Sequence, residues 1–169
     1  AFIERGLSLL SPDGVLSFIC ADRWTRNRYG APLRRLITNQ YAVRYYLDLS
    51  QTSPFDSEVS AYPSIFVVAQ KTPSKQTESS VPVVTLHDAT EAECQHALRL
   101  LRSVASQKLD VHSETDSAAA PLLQVYDRWF KEAEPWVFGD SAQCQLLRKL
   151  ENEHPCLMEC PGVRIGIGV

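Results

Sequence analysis

The sequence lacks the features that define several large protein classes. No apolar run approaches the roughly 20 residues that span a bilayer, and no basic segment leads into an apolar one in the manner of a secretory leader. The expectation is a cytoplasmic protein with no membrane partner. A phosphate-binding loop is missing, as is any Gly-x-Gly-x-x-Gly after a strand, and Gly166-x-Gly168 is too little to count. There is no basic excess either: a net charge of -3 over 169 residues argues against a simple phosphate-coating surface. The cysteines, Cys20, Cys94, Cys144, Cys156 and Cys160, are odd in number and scattered, which excludes a disulfide framework and a paired zinc pattern. Cys156-x-x-x-Cys160 beside His154 has metal-like spacing but reads as structural thiols, so no metal is expected. His87, His96, His112 and His154 stand alone, and no Ser-His-Asp, Cys-His or paired-carboxylate set follows from spacing. No catalytic residue is assigned.

What is present is an ordinary globular composition, 44% hydrophobic and 22% charged, arranged as alternating helix and strand. Phe2, Ile3, Leu7 and Leu10 fall near helical spacing, and an Asp13-Gly14 turn then opens the short apolar run 15–20. That run reads as a strand covered on both faces. A helix over 31–39, with Pro32 in its first turn, leads to a strand over 43–49 and so implies a parallel crossover. The connection 50–62 has no helical period, so the next apolar run, 65–69, reads as a reversed, antiparallel strand. Residues 73–80 read as a polar turn or loop, and a strand at 82–86 reads as an edge because of Pro82. After Asp88 the expected elements are helical: one from Ala89 to about Gln107, a polar linker at 108–119, and helices over 121–131 and 141–153. Both ends read as cut, at Ala1 and after the strand-like run 162–169, which makes an excerpt of a longer protein the expectation.

In open α/β sheets ligands gather beyond the carboxyl ends of strands, which directs attention to residues 21–30 and 50–62. Arg23, Arg26, Arg28, Arg34, Arg35 and Arg44 crowd one segment, a local basic patch within an acidic total. Arginines interleaved with Trp24 and Tyr29 suit phosphate binding and base stacking. From composition alone they better suit a helix-entry loop with solvated arginines and a Trp24 that caps the core. Phe55, isolated in a polar loop, reads either as a stacking platform or as an anchor to the sheet.

The order of residues carries a family resemblance. Leu10-x-x-Asp13-Gly14-Val15-Leu16-x-Phe18-Ile19 is followed by Asp22-Arg23-Trp24, Asn27-x-Tyr29-Gly30 and Leu33-Arg34. Then come Tyr46-Leu47-Asp48-Leu49, Phe55 and Ser60-Ala61-Tyr62-Pro63-x-Ile65. Over about residues 2–71 this resembles the gamma-class N6-adenine DNA methyltransferases, above all those of type IIG restriction-modification enzymes. The resemblance implies an α/β fold: part of a class I methyltransferase (Rossmann-like) sheet with a reversed last strand, followed by a helical connector. It implies three parts: the C-terminal half of a catalytic domain at 1–88, the connector at 89–160, and the start of a target-recognition domain at 161–169. It also implies S-adenosylmethionine as cofactor and double-stranded DNA as partner, although the family's cofactor motif and Asn-Pro-Pro-Tyr motif are absent here. By position, Phe55 resembles the aromatic residue that stacks on the extruded adenine. Asp22, Arg23, Trp24, Arg26, Asn27 and Arg28 fall in the loop that borders the base pocket or contacts DNA. The implied activity is methyl transfer to a flipped adenine by the parent enzyme, with the excerpt inactive alone. The alternative is a non-enzymatic α/β module that binds nucleic acid or a protein through its arginine loop.

Overall fold

Five strands, β1 (Val15–Ala21), β2 (Tyr41–Asp48), β3 (Pro63–Gln70), β4 (Val81–Thr85) and β5 (Leu122–Tyr126), form one mixed sheet in the order β1-β3-β2-β4-β5 in a computed structural model of the chain. The structure describes residues 2–52, 62–71, 80–106, 121–126, 129–139, 141–155 and 160–162. Phe55, the 73–79 part of the expected loop, the 108–119 linker and the 163–169 run lie outside them. Two compact units divide the chain, Ala1–Trp136 and Val137–Val169. The second contains helix α5 (Ser141–Glu153), on which Leu146, Leu147 and Leu150 are solvent-facing. Among the described residues no helix is long and apolar enough to cross a membrane.

In the first unit, helix α1 (Phe2–Ser8) buries Leu7, and the turn closed by the Gly14 N–H donating to the Ser11 carbonyl (2.8 Å) launches β1 (Val15–Ala21). Strand β2 (Tyr41–Asp48) runs parallel to β1, but the reversed β3 (Pro63–Gln70) lies between them, antiparallel to both. This is the reversed strand expected from the missing helical period at 50–62. Strand β4 (Val81–Thr85) is parallel to β2. The register aligns Phe18, Phe66 and Tyr46 across three strands, so their side chains share one face.

Three expectations are corrected. Strand β1 is not covered on both faces: it is an edge strand among the described residues, alternately exposed and half-buried, with Val15 and Ile19 more than half exposed. Strand β4 is not the edge, because β5 (Leu122–Tyr126) pairs with it from Val81↔Tyr126 to Thr85↔Leu122. The helix expected from residue 121 is therefore a strand in its first part. Pro82 is tolerated because the pairing of β4 with β2 begins only at Val83.

The two faces of the sheet are filled differently. On one, Leu49, Val84 and Leu86 pack with Ala97 and Leu101 of helix α4 (Glu91–Ala105). The helix starts where Thr90 caps it, its hydroxyl accepting from the Glu93 N–H (3.3 Å). The Glu93 carboxylate accepts N–H bonds from His87, Asp88 and Ala89 at 2.6, 2.9 and 2.7 Å. Burial pushes the Glu93 pKa up, but those donors together outweigh it and hold the carboxyl below its ordinary range. On the other face lies an aromatic cluster: Trp24 meets Phe66 and Trp136 edge-on at 5.2 and 4.9 Å, and Trp136 meets Trp129 at 5.0 Å.

One buried cation ties that cluster together. Arg34, on helix α3 (Ala31–Gln40), is 2% exposed and has no carboxylate partner among the described residues. Its guanidinium donates instead to carbonyl oxygens: twice to Ala133 (3.1 and 2.9 Å), to Trp24 (2.6 Å) and to Asn27 (2.8 Å). The 131–136 segment is further held by the Trp136 N–H on the Thr25 carbonyl (2.8 Å) and by the Thr38 hydroxyl, 2.9 Å from the Glu132 carbonyl. Glu132 takes φ +44°, the left-handed turn that brings neighbouring carbonyls round to α3. Replacing Arg34 by Met is expected to cost about 3 kcal/mol, the scale for stranding buried acceptors of a charged donor. Arg34→Lys should recover little, since an ammonium cannot span a planar fork of carbonyls. Urea-unfolding midpoints of the two variants provide the measurement; a Lys variant as stable as the parent would show that the fork is dispensable.

Candidate functional site

Strands β1, β2 and β4 end, and β3 begins, at one edge of the sheet. The chain leaving β1 gains one more bond to β3, the Asp22 N–H donating to the Tyr62 carbonyl (2.8 Å). The Asp22 carbonyl then accepts from both the N–H (2.8 Å) and the hydroxyl (2.7 Å) of Thr25, which winds residues 23–26 into the single turn of α2 (Arg23–Arg26). A helical turn sends alternate pairs to opposite sides. Trp24 and Thr25 are buried, whereas Arg23 and Arg26 face solvent. The extended Asn27 and a 3-10 turn at Arg28–Gly30 complete the loop. Only glycine fits at position 30, because a Cβ there would lie 1.8 Å from the Trp24 carbonyl oxygen.

At the end of β2 the Asp48 carboxylate accepts the Ser50 N–H (2.9 Å), a turn that swings Ser50 toward the same edge. The result is an open cleft of about 310 Å³ lined by Asp22, Arg23, Arg26, Asn27, Ser50 and Tyr62. Of the residues singled out in the sequence, Asp22, Arg23, Arg26 and Asn27 come together here. Trp24 turns instead into the aromatic core, and Arg28 is exposed outside the cleft lining. Ser50 and Tyr62 lie at the two ends of the connection that drew attention as a second candidate segment. Arg34 and Asp48, which shape the loop and the turn, carried no local sequence signal of that role.

The electrostatics are mixed. Asp22 is 6% exposed and lies 3.8 Å from the half-exposed Arg26 guanidinium. Burial raises its pKa first of all; Arg26 and Arg23 oppose that, and Asp48 adds to it. The Arg23 guanidinium sits 5.6 Å from the centre of the Tyr62 ring, within cation–π range. Burial pushes the Cys20 thiol up, away from the thiolate a nucleophile needs. Among the described residues no group of three or more His, Cys, Asp or Glu is placed to hold a metal ion.

The cleft does not fit the part of a site that would anchor S-adenosylmethionine. Its buried carboxylate is engaged by Arg26, the neighbouring Asp48 is engaged by its own turn, and among the described residues no glycine-containing acidic turn lines it. What the arrangement offers is a rim of cations and amide and hydroxyl groups over a carboxylate floor, suited to a polar ligand with both donor and acceptor edges.

A raised pKa means that native Asp22 binds its proton more readily than the unfolded chain does. Its contribution is therefore present below the unfolded pKa and is lost as pH rises through the folded one. Asp22→Asn, which keeps the shape, is expected to be more stable than the parent at neutral pH. The gain should vanish below the ordinary carboxylate range, and denaturant midpoints at pH 3 to 8 check both sign and window.

Residues 1–55 match the Eco57I restriction-modification methylase family. Over 99% of its length the chain is 41% identical to the type II methyltransferase M.BstVI of Geobacillus stearothermophilus and 36% identical to M.PaeR7I of Pseudomonas aeruginosa. It is 32% identical, again over 99% of its length, to M.XhoI of Xanthomonas vasicola. The chain spans only 28%, 26% and 28% of the lengths of these relatives. The resemblance to the methyltransferases of restriction-modification systems is thereby shown, and the similarity to these relatives extends over 99% of the chain.

Proposed function

We propose that the chain is part of a DNA methyltransferase that moves a methyl group from S-adenosylmethionine to the N6 amino group of an adenine turned out of the duplex. In this reading the cleft at the strand ends is one wall of the base pocket, and residues outside this chain hold the cofactor. The observation that carries the reading is the identity of 32–41% to type II methyltransferases along 99% of the chain. The placement of Asp22, Arg23, Arg26 and Asn27 around one cleft at the carboxyl edge of the sheet supports it. S-adenosylmethionine, held by residues outside this chain, would supply the methyl group, and the adenine amino group would receive it. The chain's share is to border the extruded base, with Phe55 as the stacking residue.

The test is transfer of labelled methyl from S-adenosylmethionine to duplex DNA by the full-length protein, with the product base identified after digestion. N6-methyladenine is expected; label on cytosine would overturn the adenine assignment, and no transfer would overturn the enzyme. The 169-residue chain alone is expected to transfer nothing. In the full-length protein, Phe55→Ala should weaken binding of a duplex carrying an unpaired target adenine by about 1–3 kcal/mol, the scale of one base stacked on an aromatic ring. Unchanged affinity would remove Phe55 from that role.

A further inference from the structure

We infer that Arg23, backed by the ring of Tyr62, grips a phosphodiester of the DNA at the mouth of the cleft; this rests on the reading above and adds a backbone contact to it. The cleft is graded from floor to rim. Asp22, at 6% exposure, forms the floor, and its negative charge keeps an anion from settling deep. Arg23 and Tyr62, both exposed, stand at the rim.

Arg26 is shared with the Asp22 carboxylate at 3.8 Å, whereas Arg23 forms no ion pair among the described residues. The Arg23 guanidinium carbon lies over the Tyr62 ring, 5.6 Å from its centre. Its planar fork of N–H groups matches two oxygens in a plane, the geometry of a phosphodiester. The ring also holds a flexible side chain in place before DNA arrives, so less freedom is lost on binding. Tyr62 is itself fixed through its backbone, its carbonyl accepting the Asp22 N–H. The grip is thus tied to the same turn that forms the cleft.

The experiment is the salt dependence of duplex-DNA binding by the full-length protein, with and without the recognition sequence. For Arg23→Gln the slope of log affinity against log salt should shrink by about 1, with equal weakening on both duplexes. Arg23→Lys keeps the charge and should keep the slope. Tyr62→Leu should weaken binding about two- to fivefold with the slope retained, and Tyr62→Phe should change neither. An unchanged slope for Arg23→Gln, or a loss confined to the recognition sequence, would overturn the grip. Failure of methyl transfer by the parent protein would instead overturn the reading on which it rests, so the two failures are distinguishable.

Discussion

A buried guanidinium with carbonyl oxygens for its only described partners is the constraint on which this fold turns. Arg34 spends its donors on Trp24, Asn27 and Ala133, and so joins the loop after β1 to a segment that lies 99 residues beyond Arg34 itself. Desolvating such a charge is costly, and the cost is met only when every carbonyl is in place at once. The loop that carries Arg23, Arg26 and Asn27 is therefore set by long-range closure as much as by its own sequence. The aromatic cluster fills the space the clamp encloses, with Trp136 fully buried against Trp24 and Trp129.

Much of the sheet was legible in the sequence, because its signals are local. The absence of a helical period between residues 50 and 62 forced a reversal, and the strand after it is antiparallel to both neighbours. The acidic first turn at Glu91 and Glu93 announced α4, and Glu93 is indeed buried against the N–H groups that precede the helix. Two misreadings have a common cause. Apolar residues occur on both faces of β1 whether or not anything covers the second face, so Val15 and Ile19 read as buried. Leu122, Leu123 and Val125 suit a helix as well as a strand, and the partner that decides, Val81–Thr85, lies some forty positions away.

The candidate site was legible as a neighbourhood rather than as a geometry. A strand end followed by arginines marked a loop that lines the cleft, and Ser50 and Tyr62, at the ends of the 50–62 connection, line it as well. What spacing could not resolve was direction. A single helical turn sends Trp24 inward and its neighbours Arg23 and Arg26 outward, a distinction that rests on the Asp22 carbonyl collecting both donors of Thr25. The role of Asp48 was equally hidden, since an aspartate at a strand end is common and its turn onto Ser50 depends on where β2 stops.

Strand β1 leaves one long side of the sheet open among the described residues. Along its seven residues, alternate backbone N–H and carbonyl groups on that side have no ladder partner among the described residues, and Val15 and Ile19 add apolar surface beside them. Such a border is a template for another strand. In dilute solution water satisfies it; in concentrated solution a second border of the same kind competes. Among the described residues, that side of β1 is where another strand could join the sheet through backbone hydrogen bonds alone.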